Sequence, residues 1–445
     1  MAAIQIGELT APPGHREVLS STNRSSGFAV LRHRDFTLYL GARFFTAIAA
    51  QMLVIAVGWQ VYQMTGRLLD LGLIGLSQFL PFLCLVLFAG HAADRFDRRV
   101  ILILCGLVQF TCAGMLLGFS VGGLTRIWPI FIVLACLGMA RAFQMPTTQS
   151  MMPNLIPAEA LQNAIALNSS MFQVATIAGP SVGGILYAVA GPPLGLRGGA
   201  GLVYAVAAGM LVVAVAMLAG IGARRVAPRT EAPSWSSLLE GLRFVWRRKT
   251  VLGAITLDLF AVLFGGATAL LPAFTRDVLH AGPEVFGYLR TAPGVGAALT
   301  AVLLAFRPIE RRIGVTMFLG VAAFGVATVV FGTTDRYWVA LIALAVLGAG
   351  DMVSVFIRTM LVQLETPDRI RGRVSAVNAV FIGASNELGE FESGITAAWI
   401  GLVPAIVAGG VLTLIVGATW ARFLFPQLWR MRSFEQLKEH RAEIE

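Results

Sequence analysis

The chain has 445 residues, of which 57% are hydrophobic and 13% charged, and its mean hydropathy is +0.76. Soluble domains carry about 25% charged residues, so this composition excludes an ordinary soluble fold. Long apolar runs of ~20 residues instead suit helices that cross ~30 Å of hydrocarbon and satisfy their own backbone. The formal charge of +10 would suggest nucleic acid on a soluble protein, but here loop topology accounts for it and no nucleic-acid partner is expected.

Residues 1–34 read as a polar cytoplasmic tail without an apolar signal core. Twelve spans follow, near 37–64, 69–91, 100–121, 127–150, 164–190, 199–221, 251–275, 285–306, 314–332, 337–362, 373–397 and 401–424. They divide into a six-helix bundle over 35–221, a linker over 222–250, a second bundle over 251–425 and a tail over 426–445. With both termini inside, 25 of the 34 Lys and Arg fall in cytoplasmic segments and 5 in outer loops. This is the positive-inside pattern of a multi-pass inner-membrane protein. Cys84, Cys105, Cys112 and Cys136 sit inside apolar spans, away from His or acidic clusters, and read as packing residues. No metal site, nucleophile–base pair or phosphate-binding loop stands out, so neither an enzyme nor an ATP-driven pump is expected.

Span 1 carries one intramembrane cation, Arg43. Between spans 2 and 3 lies Gly90-His91-Ala92-Ala93-Asp94-Arg95-Phe96-Asp97-Arg98-Arg99, a charged run that only a surface loop can hold. Asp94 at a helix end can accept charge-assisted hydrogen bonds, and Gly90 one turn earlier lets a neighbouring helix approach. Together they read as a latch. Arg95, Arg98 and Arg99 read as positive-inside anchors beside it.

Span 4 holds Arg141, which needs a partner or water at that depth. Span 5 holds Gly179-Pro180-Ser181-Val182-Gly183-Gly184, where Pro180 bends the helix and the glycines allow close packing. In the linker, Trp235, Leu238, Leu242, Val245 and Trp246 share one helical face beside basic residues, as in a helix on an anionic leaflet.

The second half repeats the first at an offset of 210 residues: Leu137-Gly138 falls on Leu347-Gly348, Pro157 on Pro367, Asn168 on Asn378, Gly179 on Gly389 and Gly184-Ile185 on Gly394-Ile395. Parallel repeats of this kind place a substrate site between the halves near the midplane. Span 11 carries Glu387, Glu390 and Glu392. Carboxyls are costly to keep ionised at that depth, which suits reversible protonation. Asp258, Arg290, Asp351 and Arg358 are their candidate partners.

The loop Gly90-x-x-x-Asp94-Arg95-x-x-Arg98-Arg99 resembles the signature loop between helices 2 and 3 of the major facilitator superfamily. The Gly179–Gly184 run resembles the helix-5 motif of its antiporters, with Ala166 and Ala175 where that motif has glycine. Arg141 resembles the helix-4 Arg tied to proton coupling in drug antiporters, with Met145 in place of a glycine. Ala42-Arg43-Phe44, Pro157-Ala158-Glu159, Asn163-Ala164, Leu364-Glu365-Thr366-Pro367 and Gly372-Arg373-Val374 are similar to the branch holding the bacterial enterobactin exporter and macrolide-efflux proteins.

The resemblance implies a twelve-helix, two-bundle, all-α fold that exports a siderophore- or drug-like molecule by proton antiport. No cofactor is implied beyond the proton gradient, and one chain suffices for the path. Uptake, lipid translocation and a non-transporting receptor are the other readings.

Overall fold

The computed structural model describes residues 27–157, 160–190, 199–222, 235–309, 311–367 and 370–434. Residues 1–26 and 435–445 of the expected tails over 1–34 and 426–445, and the Pro228–Pro233 stretch of the linker, lie outside these residues.

Six helices form the first bundle: α1 (Arg34–Thr65), α2 (Leu68–Arg95), α3 (Arg98–Gly122), α4 (Trp128–Met151), α5 (Leu161–Val189) and α6 (Ala200–Ala219). A linker helix, α7 (Trp235–Arg247), precedes the second. There the seventh crossing is broken into α8 (Lys249–Phe264), a 3-10 turn (Ala267–Leu270) and α9 (Leu271–Asp277). Then come α10 (Pro283–Phe306), α11 (Ile313–Thr333), α12 (Tyr337–Glu365), α13 (Arg371–Ile400) and α14 (Leu402–Thr419), with a short α15 (Pro426–Trp429) after them.

Eleven described segments are long and apolar enough to cross a membrane. The twelfth crossing, α13, is 30 residues long but carries its charges along the same helix. The break in the seventh crossing has a local cause. Gly265 caps α8, and a side chain at Gly266 would meet the Gly389 backbone of α13 at 2.6 Å. Elsewhere the turns follow local chemistry. Gly66 ends α1 in the left-handed region at φ 62°, where a Cβ would be strained, and Asp97 caps α3 by accepting from the Arg99 amide at 2.8 Å.

Twelve crossings bring the described ends of the chain, Gly27 and Phe434, to the same end of the bundle pair, here the terminal end. The two halves meet chiefly along α2 with α13 and α5 with α10. The contacts named next lie near the middle of each helix or toward the end farther from the terminal end. Gly72 of α2 would place a Cβ 3.0 Å from the Gly394 Cα of α13, and Gly184 of α5 would place one 3.0 Å from the Gly287 Cα of α10. Ser181 and Thr291 share a 2.8 Å hydrogen bond, Thr291 Oγ1 donates to the Ile177 carbonyl at 2.9 Å, and Gln173 Nε2 donates to the Gly294 carbonyl at 3.3 Å.

The apolar core repeats the asymmetry. One cluster at the far end joins both halves, with Trp59 stacked on Phe286 at 6.0 Å. At the terminal end the clusters stay within one half: Phe36, Tyr39 and Leu102 in the first, Leu257, Met317 and Leu361 in the second. A Cβ at Gly90 on α2, or at Gly372 or Gly383 on α13, would meet nothing within 4 Å. The halves therefore form a wedge, shut at the far end and open at the terminal end.

Gly184→Val tests that wedge. Its Cβ would fall 2.5 Å from the Pro283 carbonyl oxygen. Overpacking of this kind costs about 1–3 kcal/mol, or roughly fivefold to a hundredfold in population. Spin labels on α5 and α10 at the far end should show longer distances in the variant. An unchanged distribution would rule out this contact as the closure.

The linker helix departs from expectation. Val245 is buried against Val251, Val374 and Val377, Gly241 lies against Arg373, and Glu240 accepts a hydrogen bond from Arg373. Leu242 and Trp246 remain exposed. Its apolar residues are thus divided between the second bundle and the outside, and do not form one lipid-facing stripe. The side chains of Trp235 and Leu238 lie outside the described residues.

Candidate functional site between the two halves

The site is built on α13. Glu387 and Glu390 are three residues apart, so both lie on one side of the helix. Glu387 Oε1 accepts from Arg141 Nη1 of α4 at 2.5 Å. This ion pair crosses from one half to the other. The Arg141 guanidinium also lies 5.7 Å from the Phe82 ring centroid of α2. The Glu387 side chain is 13% exposed and that of Arg141 53%. Arg141 is the fourteenth residue of the 24 in α4, so its exposure lies mid-span. The pair therefore forms the floor of the open wedge.

Glu390 accepts from Arg290 Nη2 of α10 at 3.4 Å. Its side chain also fills the space above Gly75 of α2, where a Cβ would stand 2.9 Å from Glu390 Oε2 and 3.1 Å from Glu390 Cβ. A residue larger than glycine at 75 would displace that carboxylate. Glu392 faces another way and accepts from Thr396 Oγ1 of its own helix at 2.8 Å. Arg43 keeps to the first half, 5.9 Å from the Phe172 ring centroid.

A second charged group lies inside the second half. Arg358 of α12 donates to Asp258 of α8, and the two residues are 1% and 3% exposed. Asp351 and Ser354, earlier on α12, line a small pocket together with Asp258. This corrects the expectation that Asp258, Asp351 and Arg358 pair with the α13 glutamates. Of the candidates, Arg290 alone forms such a pair among the described residues. The reason is packing: α12 runs along α10 and α11 and turns Arg358 toward α8.

The charged loop also differs from expectation. Arg98 Nη1 donates to the Ser150 carbonyl of α4 at 3.0 Å. Arg99 donates from Nε to the Leu218 carbonyl at 3.1 Å and from Nη2 to the Ala219 carbonyl at 2.5 Å. Both arginines thus cap carbonyl-rich helix C-termini within their own half, where a cation is favoured. Arg95 is exposed, and the Asp94 side chain lies outside the described residues. Gly90 has no neighbour to admit, because the halves are apart at that end. Among the described side chains of the loop, none bonds across the halves in this conformation.

The span-5 run carries the closure instead. Gly179 packs on Gln51 and Ile48 of α1, Gly183 on Met52 and Ile55 of α1, and Gly184 on α10. Pro180 is buried within α5, and its carbonyl faces Gly287. Gly72, Gly75, Gly287 and Gly394 complete the contact, and of these sequence reasoning singled out only Gly394, as a repeat match. The offset that aligns Gly184 with Gly394 was the available signal. Both of these glycines press on the opposite half.

A family model described as transmembrane secretion effector matches residues 25–444. The chain belongs to this family. Members of the family are major facilitator transporters, and the chain is accordingly a multi-pass membrane transporter and not an enzyme. It is 28% identical over 414 residues to the multidrug efflux pump Tap of Mycobacterium tuberculosis, covering 88% of this chain and 95% of that one. It is 25% identical over 409 residues to the enterobactin exporter EntS of Shigella boydii, covering 91% and 94%. Among solved structures, a bacterial homologue of the human lysosomal transporter Spinster, inward-facing and occupied, matches with TM-score 0.71 at 15% identity, covering 89% and 98%. A bacterial homologue of the iron transporter ferroportin, inward-facing, matches with TM-score 0.66 at 17% identity, covering 88% and 99%. At these identities the structures support the family's fold alone.

Proposed function

We propose that this chain exports a small, partly apolar molecule of siderophore or drug class from the bacterial cytoplasm in exchange for protons. The names of Tap and EntS support the direction and the cargo class. The Arg141–Glu387 pair carries the coupling reading, because it joins the halves and lies on the floor of the wedge. Both termini then lie in the cytoplasm of an inner-membrane protein, as the loop charges favour, and the wedge opens inward. One chain holds the complete path, and the proton gradient drives it without a bound cofactor.

In this scheme cargo enters from the cytoplasm and meets Arg141 and Glu387. A proton arriving on Glu387 cancels its negative charge and turns an ion pair into a hydrogen bond from a cation to a neutral acid. The tie between halves weakens, and its gain or loss accompanies the exchange of access. Purified protein in liposomes with an imposed pH gradient and an internal pH dye tests this. Siderophores, antibiotics and lysolipids are added in turn. A cargo-dependent proton leak is the expected result. Cargo flux that leaves the dye unchanged would remove proton coupling, and a response to lysolipids alone would replace the cargo class with lipid.

A further inference from the structure

Outside the wedge, the second bundle holds a charge imbalance that the export scheme does not use. Asp258 and Asp351 both line one pocket, with Ser354, Ala261, Val262, Val321, Phe324 and Gly350 around it. The pocket has room for about one water-sized particle. Arg358 is the cation at this cluster: its Nη1 donates to Asp258, and its Nε is buried without a partner among the described residues. The surrounding helices supply no other. Neither α11 nor α14 has a charged residue within its bounds; on α13 Glu387 and Glu390 are matched by Arg141 and Arg290, Arg373 by Glu240, and Glu392 accepts from Thr396. Lys249 and Glu365 lie at the terminal ends of α8 and α12, away from the pocket.

Two carboxyls thus share one guanidinium inside a low-dielectric bundle. Asp258 is 3% exposed and Asp351 half-buried, and a poorly compensated charge there is unfavourable, so one further positive charge would be stabilising. The polar atoms facing the pocket have capacity for it. Ser354 is 3% exposed and lines the pocket with Asp258, and among the described residues its Oγ has no partner at hydrogen-bond geometry. No described residue donates a hydrogen bond to Asp351.

We infer that Asp258, Asp351 and Ser354 form a binding site for one monovalent cation, a proton or a sodium ion, within the second half alone. An oxygen-only donor set of two carboxylates and a hydroxyl suits a hard cation. Arg358 holds Asp258 in place and leaves Asp351 to carry the exchangeable charge. The site is distinct from Glu387, and it stands whether or not Glu387 couples to protons.

The test uses cargo-free protein in detergent, so it is independent of transport. Thermal unfolding is followed with sodium chloride titrated against choline chloride, and proton uptake is followed with a pH dye during an acid pulse. Wild type, Asp351→Asn, Ser354→Ala and Glu387→Gln are compared. For sodium, a saturable rise in Tm is expected, lost in Asp351→Asn and shifted to about tenfold or more higher sodium in Ser354→Ala, but kept in Glu387→Gln. For a proton, the sodium response is absent and Asp351→Asn takes up one proton fewer per chain than wild type. Should Asp351→Asn fail to fold, Ser354→Ala decides, through weaker sodium binding or a displaced proton-uptake midpoint. A wild type indifferent to sodium, with proton uptake unchanged in both pocket variants, overturns the inference.

Discussion

Glu387→Gln should cut cargo-driven proton movement by about tenfold to a hundredfold while leaving the protein folded. Gln keeps the shape and can still hydrogen-bond to Arg141, but it cannot take up or release a proton. A hydrogen bond to a charged group contributes about 1.5–3 kcal/mol, and each 1.4 kcal/mol is tenfold in a population. Arg141 is half exposed, so solvent screening places the effect on the tie itself at the lower end. Loss of the titrating group adds to it. Glu390→Gln should act more weakly, since Arg290 stands at 3.4 Å. The liposome assay with the pH dye reads both. If each variant retained full proton-driven transport, the coupling assignment to α13 would be wrong.

Arg358→Met should lower stability by about 3–5 kcal/mol, the range for breaking a buried ion pair from one side. The side chain is the largest fully buried one in the described structure, and methionine fills part of its volume. What remains is the Asp258 carboxylate without its donor, next to Asp351. The double variant Asp258→Asn/Arg358→Met removes the stranded charge and should recover most of the loss. Unfolding midpoints in detergent give the cycle, in which the pairwise term is the departure from additivity. Equal losses in the single and double variants would mean that the pair contributes nothing beyond packing.

The crossings were legible because hydrocarbon thickness forces long apolar runs, and the structure places each helix within a few residues of its run. The seventh was not legible as a broken helix. Gly265-Gly266 is an ordinary pair in a membrane sequence until α13 is known to press on it. For the site, depth alone singled out Arg141 and Glu387 as expensive charges, and they meet. Depth says nothing about direction, however, so Arg358 and Asp258 were grouped with the glutamates although they face into their own bundle. Gly90 faces no opposing helix here, because this end of the wedge is open. A loop motif carries no record of which end of the protein is open.

The glycine seams have a consequence for how such a scaffold diversifies. Where Gly72 meets Gly394 and Gly184 meets Gly287, the halves touch backbone to backbone. Shutting that end therefore rests on backbone contact, with the Arg141–Glu387 pair as a further tie. Other side chains lining the wedge can change with the cargo while the hinge surfaces stay fixed. Closure and selectivity are separable traits, inherited at different addresses in the chain. One architecture then accommodates chemically unlike cargoes without relearning how to move, and relatives named for multidrug efflux and for a siderophore fit that separation.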